Sequence, residues 1–118
     1  MRLLIVRQTD DVCLVRALGE IDLLAAADLD SALMEVQGDG HTHVLLDLWD
    51  VTFIDAAGVA ALLSASRRAE KGIGGFAVVA ERNGVVHRVL DAAGLDDALP
   101  IYATRALATS TLRSGAHV

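Results

Sequence analysis

Asp47, Asp50 and Asp55 lie close together around the apolar run Val51-Thr52-Phe53-Ile54. Carboxylates near the carboxyl end of a central strand are the raw material of a phosphoacceptor with Mg²⁺ or of an acid/base pair. Either chemistry needs carboxylates that converge on one point, and phosphoryl transfer also calls for a Lys or Ser/Thr to hold the group. The first apolar run ends in Val6-Arg7-Gln8 and supplies no acidic pair, while Asp55 is followed by Ala56 and Ala57. A methyl group accepts neither a proton, a phosphoryl group nor a metal. Asp55 therefore reads as a helix N-cap, a partner contact, or both in one side chain, and Asp50 as a solvated turn residue.

The other groups with chemical potential read as structural. His41 and His43 alternate with Thr42, but no third ligand of the needed type is near in sequence, so they are read as polar residues leading into a strand. His87 is expected on an exposed helix face. Gly72-Ile73-Gly74-Gly75 follows a helix pattern and precedes a strand pattern, the reverse of a phosphate cradle, and is assigned to a turn. Cys13 is the only cysteine and sits in an apolar run, so it forms no internal disulfide and reads as a small buried hydrophobe. Trp49 is expected to cap the core; exposed beside Asp55, it would instead be a partner anchor. No catalytic residue, metal site or cofactor is assigned.

The elements that position these residues follow from hydrophobic spacing. Leu3–Val6 and Val12–Leu18 read as two strands joined by a short polar connection, hence an antiparallel hairpin. After Gly19-Glu20-Ile21-Asp22, the residues Leu29, Ala32, Leu33 and Val36 recur at helical spacing, with Asp22 as N-cap and Gly38 as stop. His43–Leu48 is a buried strand, and Val51–Ile54 extends it or lies just beyond. A helix with Val59, Leu62, Leu63 and Ser66 inward follows Asp55. Phe76–Ala80 is a strand, and Asn83 caps a helix with Val86, Val89, Leu90 and Ala93 inward and Gly94 as stop. The second Asp-Ala-Ala-Gly, Asp91–Gly94, thus closes a helix where Asp55–Gly58 opens one. Leu99–Tyr102 is a short edge strand, because Pro100 has no N–H to donate. Thr104 caps a last helix over Arg105–Leu112. The predicted fold is α/β: an open mixed sheet, a leading antiparallel hairpin then parallel strands, with about four helices mostly on one side. Residues 1–112 read as a single domain and 113–118 as a disordered tail.

The chain of 118 residues has a net charge of −6 and no run of Lys or Arg, which argues against nucleic acid or an anionic membrane as the main partner. It is 53% hydrophobic but only 3% aromatic, so the core is built from Leu, Val, Ile and Ala. No apolar run has the length of a signal peptide core or a membrane span, and a soluble cytoplasmic protein is expected.

The ordered motifs resemble STAS domains, and among them the single-domain anti-sigma factor antagonists. Gly19-Glu20-Ile21-Asp22 is similar to the family's G-E-[IL]-D, and Leu46-Asp47-Leu48 through Val51–Asp55 to its L-D-L…V-x-F-[IM]-D. Gly58 matches the family's helix opening, and Gly75–Val79 with Val86…Gly94-Leu95 resembles its close. The resemblance implies a non-enzymatic binding module whose partner is an anti-sigma factor of the GHKL kinase type, with contacts at Asp22, Asp55, Ala56, Ala57 and Gly58. In the family, a Ser or Thr directly after the motif's aspartate is phosphorylated to end binding. That position is Ala56 here, so the switch is not carried over, and neither Thr52 nor Ser64 occupies the acceptor site. A STAS accessory subunit of a lipid-transport ABC complex is the alternative, and a weak homodimer stays open.

Overall fold

The computed structural model describes residues 1–7, 11–38, 43–72, 74–95 and 97–114. Strand β1 (Arg2–Arg7) pairs antiparallel with β2 (Val12–Ile21), aligning Leu3 with Ala17 and Ile5 with Val15. The later strands β3 (His43–Ile54), β4 (Phe76–Val79) and β5 (Ile101–Tyr102) add in parallel, and the sheet order is β1-β2-β3-β4-β5. Helices α1 (Leu23–Gln37), α2 (Ala56–Lys71) and α3 (Val85–Ala92) make the crossovers. Because each new strand joins the same growing edge and crossovers share one hand, these three helices fall on one face. Helix α4 (Arg105–Ser114) covers the other. The fold is the one expected.

Strand alternation divides the core between the two faces. Val15, Ala17, Val44, Leu46, Leu48, Phe76 and Val78 meet Leu29 and Leu33 of α1, Leu62 and Ala65 of α2 and Leu90 of α3. Leu14, Leu45, Ala77 and Val79 meet Ala108 and Leu112 of α4 in a smaller cluster. Strand β3 runs through Trp49 and Asp50 without a turn, so His43–Leu48 and Val51–Ile54 are one strand. Its pairing with β2 absorbs two register shifts, between Arg16 and Leu18 and between Gly19 and Glu20. Such irregularities bend the pair, and the second brings Ile21 level with Ile54.

Several local expectations are corrected. Gly84, not Asn83, is the N-cap of α3; Asn83 sits at φ 61, a left-handed conformation that asparagine tolerates, and its N–H donates to Nδ1 of His87 at 3.0 Å. His87 is therefore half-buried and engaged. Gly94, at φ 72, does terminate α3, as its lack of a side chain permits. Arg113 and Ser114 belong to α4, with Arg113 reaching Asp11 at 3.1 Å; the rest of the expected tail lies outside the described residues. His41 also lies outside them, as do Thr42 and Ile73. His43 accepts from the N–H of Gly75 at 2.8 Å and so ties the start of β3 to the segment before β4.

Candidate functional site

At the carboxyl end of β2 and β3 two helices begin side by side. Ile21 and Ile54 are register partners, so the next residues, Asp22 and Asp55, stand on adjacent strand ends, and the Asp55 N–H donates to the Ile21 carbonyl at 3.2 Å. Each aspartate leaves the strand in extended conformation and caps its helix. Asp22 accepts from the Ala25 N–H at 3.0 Å, and Asp55 from the Gly58 N–H at 3.1 Å. A helix start has four N–H groups without intrahelical acceptors, and a carboxylate there satisfies one while facing the positive end of the dipole. Asp22 is exposed and Asp55 half-buried.

Gly58 holds the two ends together. A β-carbon on Gly58 would lie 2.6 Å from Cγ1 of Ile54 and 2.9 Å from Cγ2 of Ile21. Both isoleucines are buried, and the approaching carbons are branch atoms next to the backbone, with little room to yield. The helix sits against both strand ends only because position 58 has no side chain.

Ala56 is the first residue of α2 and is exposed; Ala57 is half-buried and Gly58 buried. The cap surface therefore offers two carboxylates already bonded to backbone and the exposed methyl group of Ala56 directly after Asp55. It contains no nucleophile with a base. Thr52 is exposed on β3, before the cap, and Ser64 is half-buried in the middle of α2.

The three aspartates of β3 and its end do not converge. Asp47 is the one buried charged residue among those described, 3% exposed. It accepts from Nε of Arg105 at 2.8 Å and from the Trp49 N–H at 2.9 Å. Asp50 is a strand residue paired with Arg16, not a solvated turn residue. The hydrogen bond to Asp50 raises the Arg16 guanidinium pKa, against a desolvation that lowers it. Trp49 does not cap the core: it is 45% exposed and lines an open cleft of 320 Å³ on the α4 side with Arg16, Asp50 and Arg105. Among the described residues no three His, Cys, Asp or Glu side chains form a group able to hold a metal.

Sequence reasoning missed Arg16 and Arg105 as the partners of Asp50 and Asp47. Arg16 carried a signal, a lone charge on a strand face otherwise made by Leu14 and Leu18. Arg105 carried none, since it lies 58 residues from Asp47.

Residues 4–108 match the STAS domain. The chain belongs to the STAS domain family. It is 35% identical over 97 residues to the anti-sigma-F factor antagonist RsfB of Mycobacterium tuberculosis, covering 82% of this chain and 78% of that protein. The crystal structure of an anti-sigma factor antagonist from Mycobacterium paratuberculosis superposes with a TM-score of 0.84 at 30% identity, covering 95% of this chain and 93% of that one. Unphosphorylated SpoIIAA, itself an anti-sigma factor antagonist, shares the fold with a TM-score of 0.78 at 20% identity, over 96% of this chain and 97% of its own. Within this STAS domain the paired caps Asp22 and Asp55 close β2 and β3 side by side, inside the residues 4–108 that match the family. No helix is long and apolar enough to cross a membrane among the described residues.

Proposed function

We propose that this STAS domain is a regulatory binding module that sequesters an anti-sigma factor of the GHKL kinase type in the cytoplasm and is not itself switched by phosphorylation. The observation that carries the reading is the exposed methyl group of Ala56 at the first position of α2, directly after the Asp55 cap. A phosphorylated hydroxyl there would add about −1.5 to −2 charges beside Asp55 and oppose a docked partner by repulsion and desolvation. Alanine retains the small uncharged shape of an unmodified acceptor. Contacts are assigned to Asp22, Asp55, Ala56, Ala57 and Gly58, with the glycine acting through the close seating of α2. The similarity to proteins named anti-sigma factor antagonists supports the partner class.

Calorimetric titration with a GHKL-type anti-sigma factor from the same host tests the reading. A saturable complex is expected, weakened at least about tenfold by Ala56→Glu, which corresponds to about 1.4 kcal/mol. Equal binding by the wild type and the Ala56→Glu variant would remove the cap surface from the interface.

A further inference from the structure

Helix α1 is apolar on two opposite sides. Its inner stripe, Ala25, Ala26, Leu29 and Leu33, is buried against the sheet and α2. Its outer side carries Leu23 and Leu24, 71% and 80% exposed, then Ala27, Ser31 and Met34, the last 51% exposed. At 3.6 residues per turn, Leu24, Ala27, Ser31 and Met34 follow the i, i+3, i+7, i+10 spacing of a helix–helix seam, and Leu23 widens its first turn. The seam runs about 15 Å along the helix. A helix that only covers a sheet needs one apolar stripe; a second one, facing solvent, has no role in this fold.

The charges that α1 itself places beside the seam are all acidic. Exposed Asp28 and Glu35 lie along one flank, Asp30 on the other, and α1 contains no Lys or Arg. Asp30 is engaged by Arg68 at 3.4 Å, and Arg68 also holds Gln37, which donates to the Ala65 carbonyl at 2.9 Å. These bonds fix the helix on α2, so the seam is a rigid surface. A second copy laid antiparallel on the same seam would bring Asp28 against its own counterpart, and an anionic lipid surface would meet the repulsion of both Asp28 and Glu35.

We infer that the outer face of α1 is a docking surface for an amphipathic helix of a partner protein, one whose apolar stripe is flanked by Lys or Arg. The surface adjoins the cap surface at Asp22 and runs from there along α1, away from Ala56, so its far end at Met34 and Glu35 is not shared with the cap contact. Leucines 23 and 24 anchor the incoming helix, Ala27 and Ser31 let its backbone approach, and the free carboxylates of Asp28 and Glu35 set its orientation.

The test uses the full chain and a three-heptad synthetic peptide with leucine at the a and d positions and lysine at e and g. Amide chemical shifts are followed during titration, with binding read in parallel by fluorescence anisotropy. Saturable shifts confined to residues 23–35 are expected, with Leu24→Lys and Met34→Lys each weakening binding about tenfold or more. Leu107→Lys, a change at an exposed leucine on α4, is expected to leave binding unaltered. Circular dichroism and the melting temperature establish that each variant is folded. Shifts spread over other faces, indifference to Leu24→Lys, α1-dependent self-association by light scattering, or binding to vesicles of equimolar phosphatidylcholine and phosphatidylglycerol would each overturn the inference. Since the peptide does not report on the Ala56 surface, these results leave the proposed function to its own test.

Discussion

Position 58 gives the cap site its most exacting requirement. Replacing glycine inside a helix by alanine ordinarily stabilises by about 1 kcal/mol. Here the added carbon would press on Ile54 at 2.6 Å and on Ile21 at 2.9 Å, and both belong to the packed core. Overpacking of a tight core costs about 1–3 kcal/mol, so the clash outweighs the propensity gain. Gly58→Ala is expected to lower the urea midpoint with an unchanged slope, and a midpoint at or above wild type would show that α2 can lift without cost. Asp55→Ala removes only the cap bond to Gly58, for a loss of about 1 kcal/mol. The caps were legible in the sequence because Asp22 and Asp55 each stand between an apolar run and a helical period. Asn83 was misassigned as a cap because asparagine suits both a cap and a left-handed turn, and only the chain path decides between them.

Among the elements, α4 relies most on ion pairs with the rest of the fold. It rests on a small apolar cluster, on the Arg113–Asp11 pair and on Arg105, whose guanidinium meets the buried carboxylate of Asp47 through Nε at 2.8 Å and Nη2 at 2.6 Å. Arg105→Ala leaves Asp47 with only the Trp49 N–H. An acceptor stranded in this way costs about 1–3 kcal/mol. Chemical denaturation measures the loss, and hydrogen exchange is expected to show faster opening of α4 than of α1 or α2. The Arg16–Asp50 pair is more exposed, and its removal is expected to cost less than about 1 kcal/mol. Hydrophobic spacing located α1, α2 and α3, since each buries one stripe on the sheet, while α4 was marked by Thr104 as its cap. Spacing could not reveal the ion pairs: charge pairing across the sheet depends on strand register, and the shifts between β2 and β3 alter the register near Arg16. The outer seam of α1 escaped for a related reason. Leu23 and Leu24 blend into an apolar sequence, and their exposure becomes visible only once the inner stripe is placed.

At the scale of the whole molecule, sequential strand order and three crossovers on one face bring two helix starts to one end of the sheet, while a chain of net charge −6 surrounds them. The architecture could be read from the order of strand and helix patterns. The family resemblance added the expectation of where a partner docks, at the end of the sheet where α2 is seated closely on Ile21 and Ile54. On the function proposed above, this surface stays in its binding state because position 56 has no hydroxyl. Incubation with a GHKL-type anti-sigma factor of the same host and ATP, followed by intact-protein mass spectrometry and gel filtration of the same sample, tests it most directly. No added phosphate on the chain and a complex that survives ATP are expected, with Ala56→Ser converting it to a phosphorylated, dissociating form. Stoichiometric phosphate on the wild-type chain at Thr52 or Ser64, with release of the partner, would contradict it.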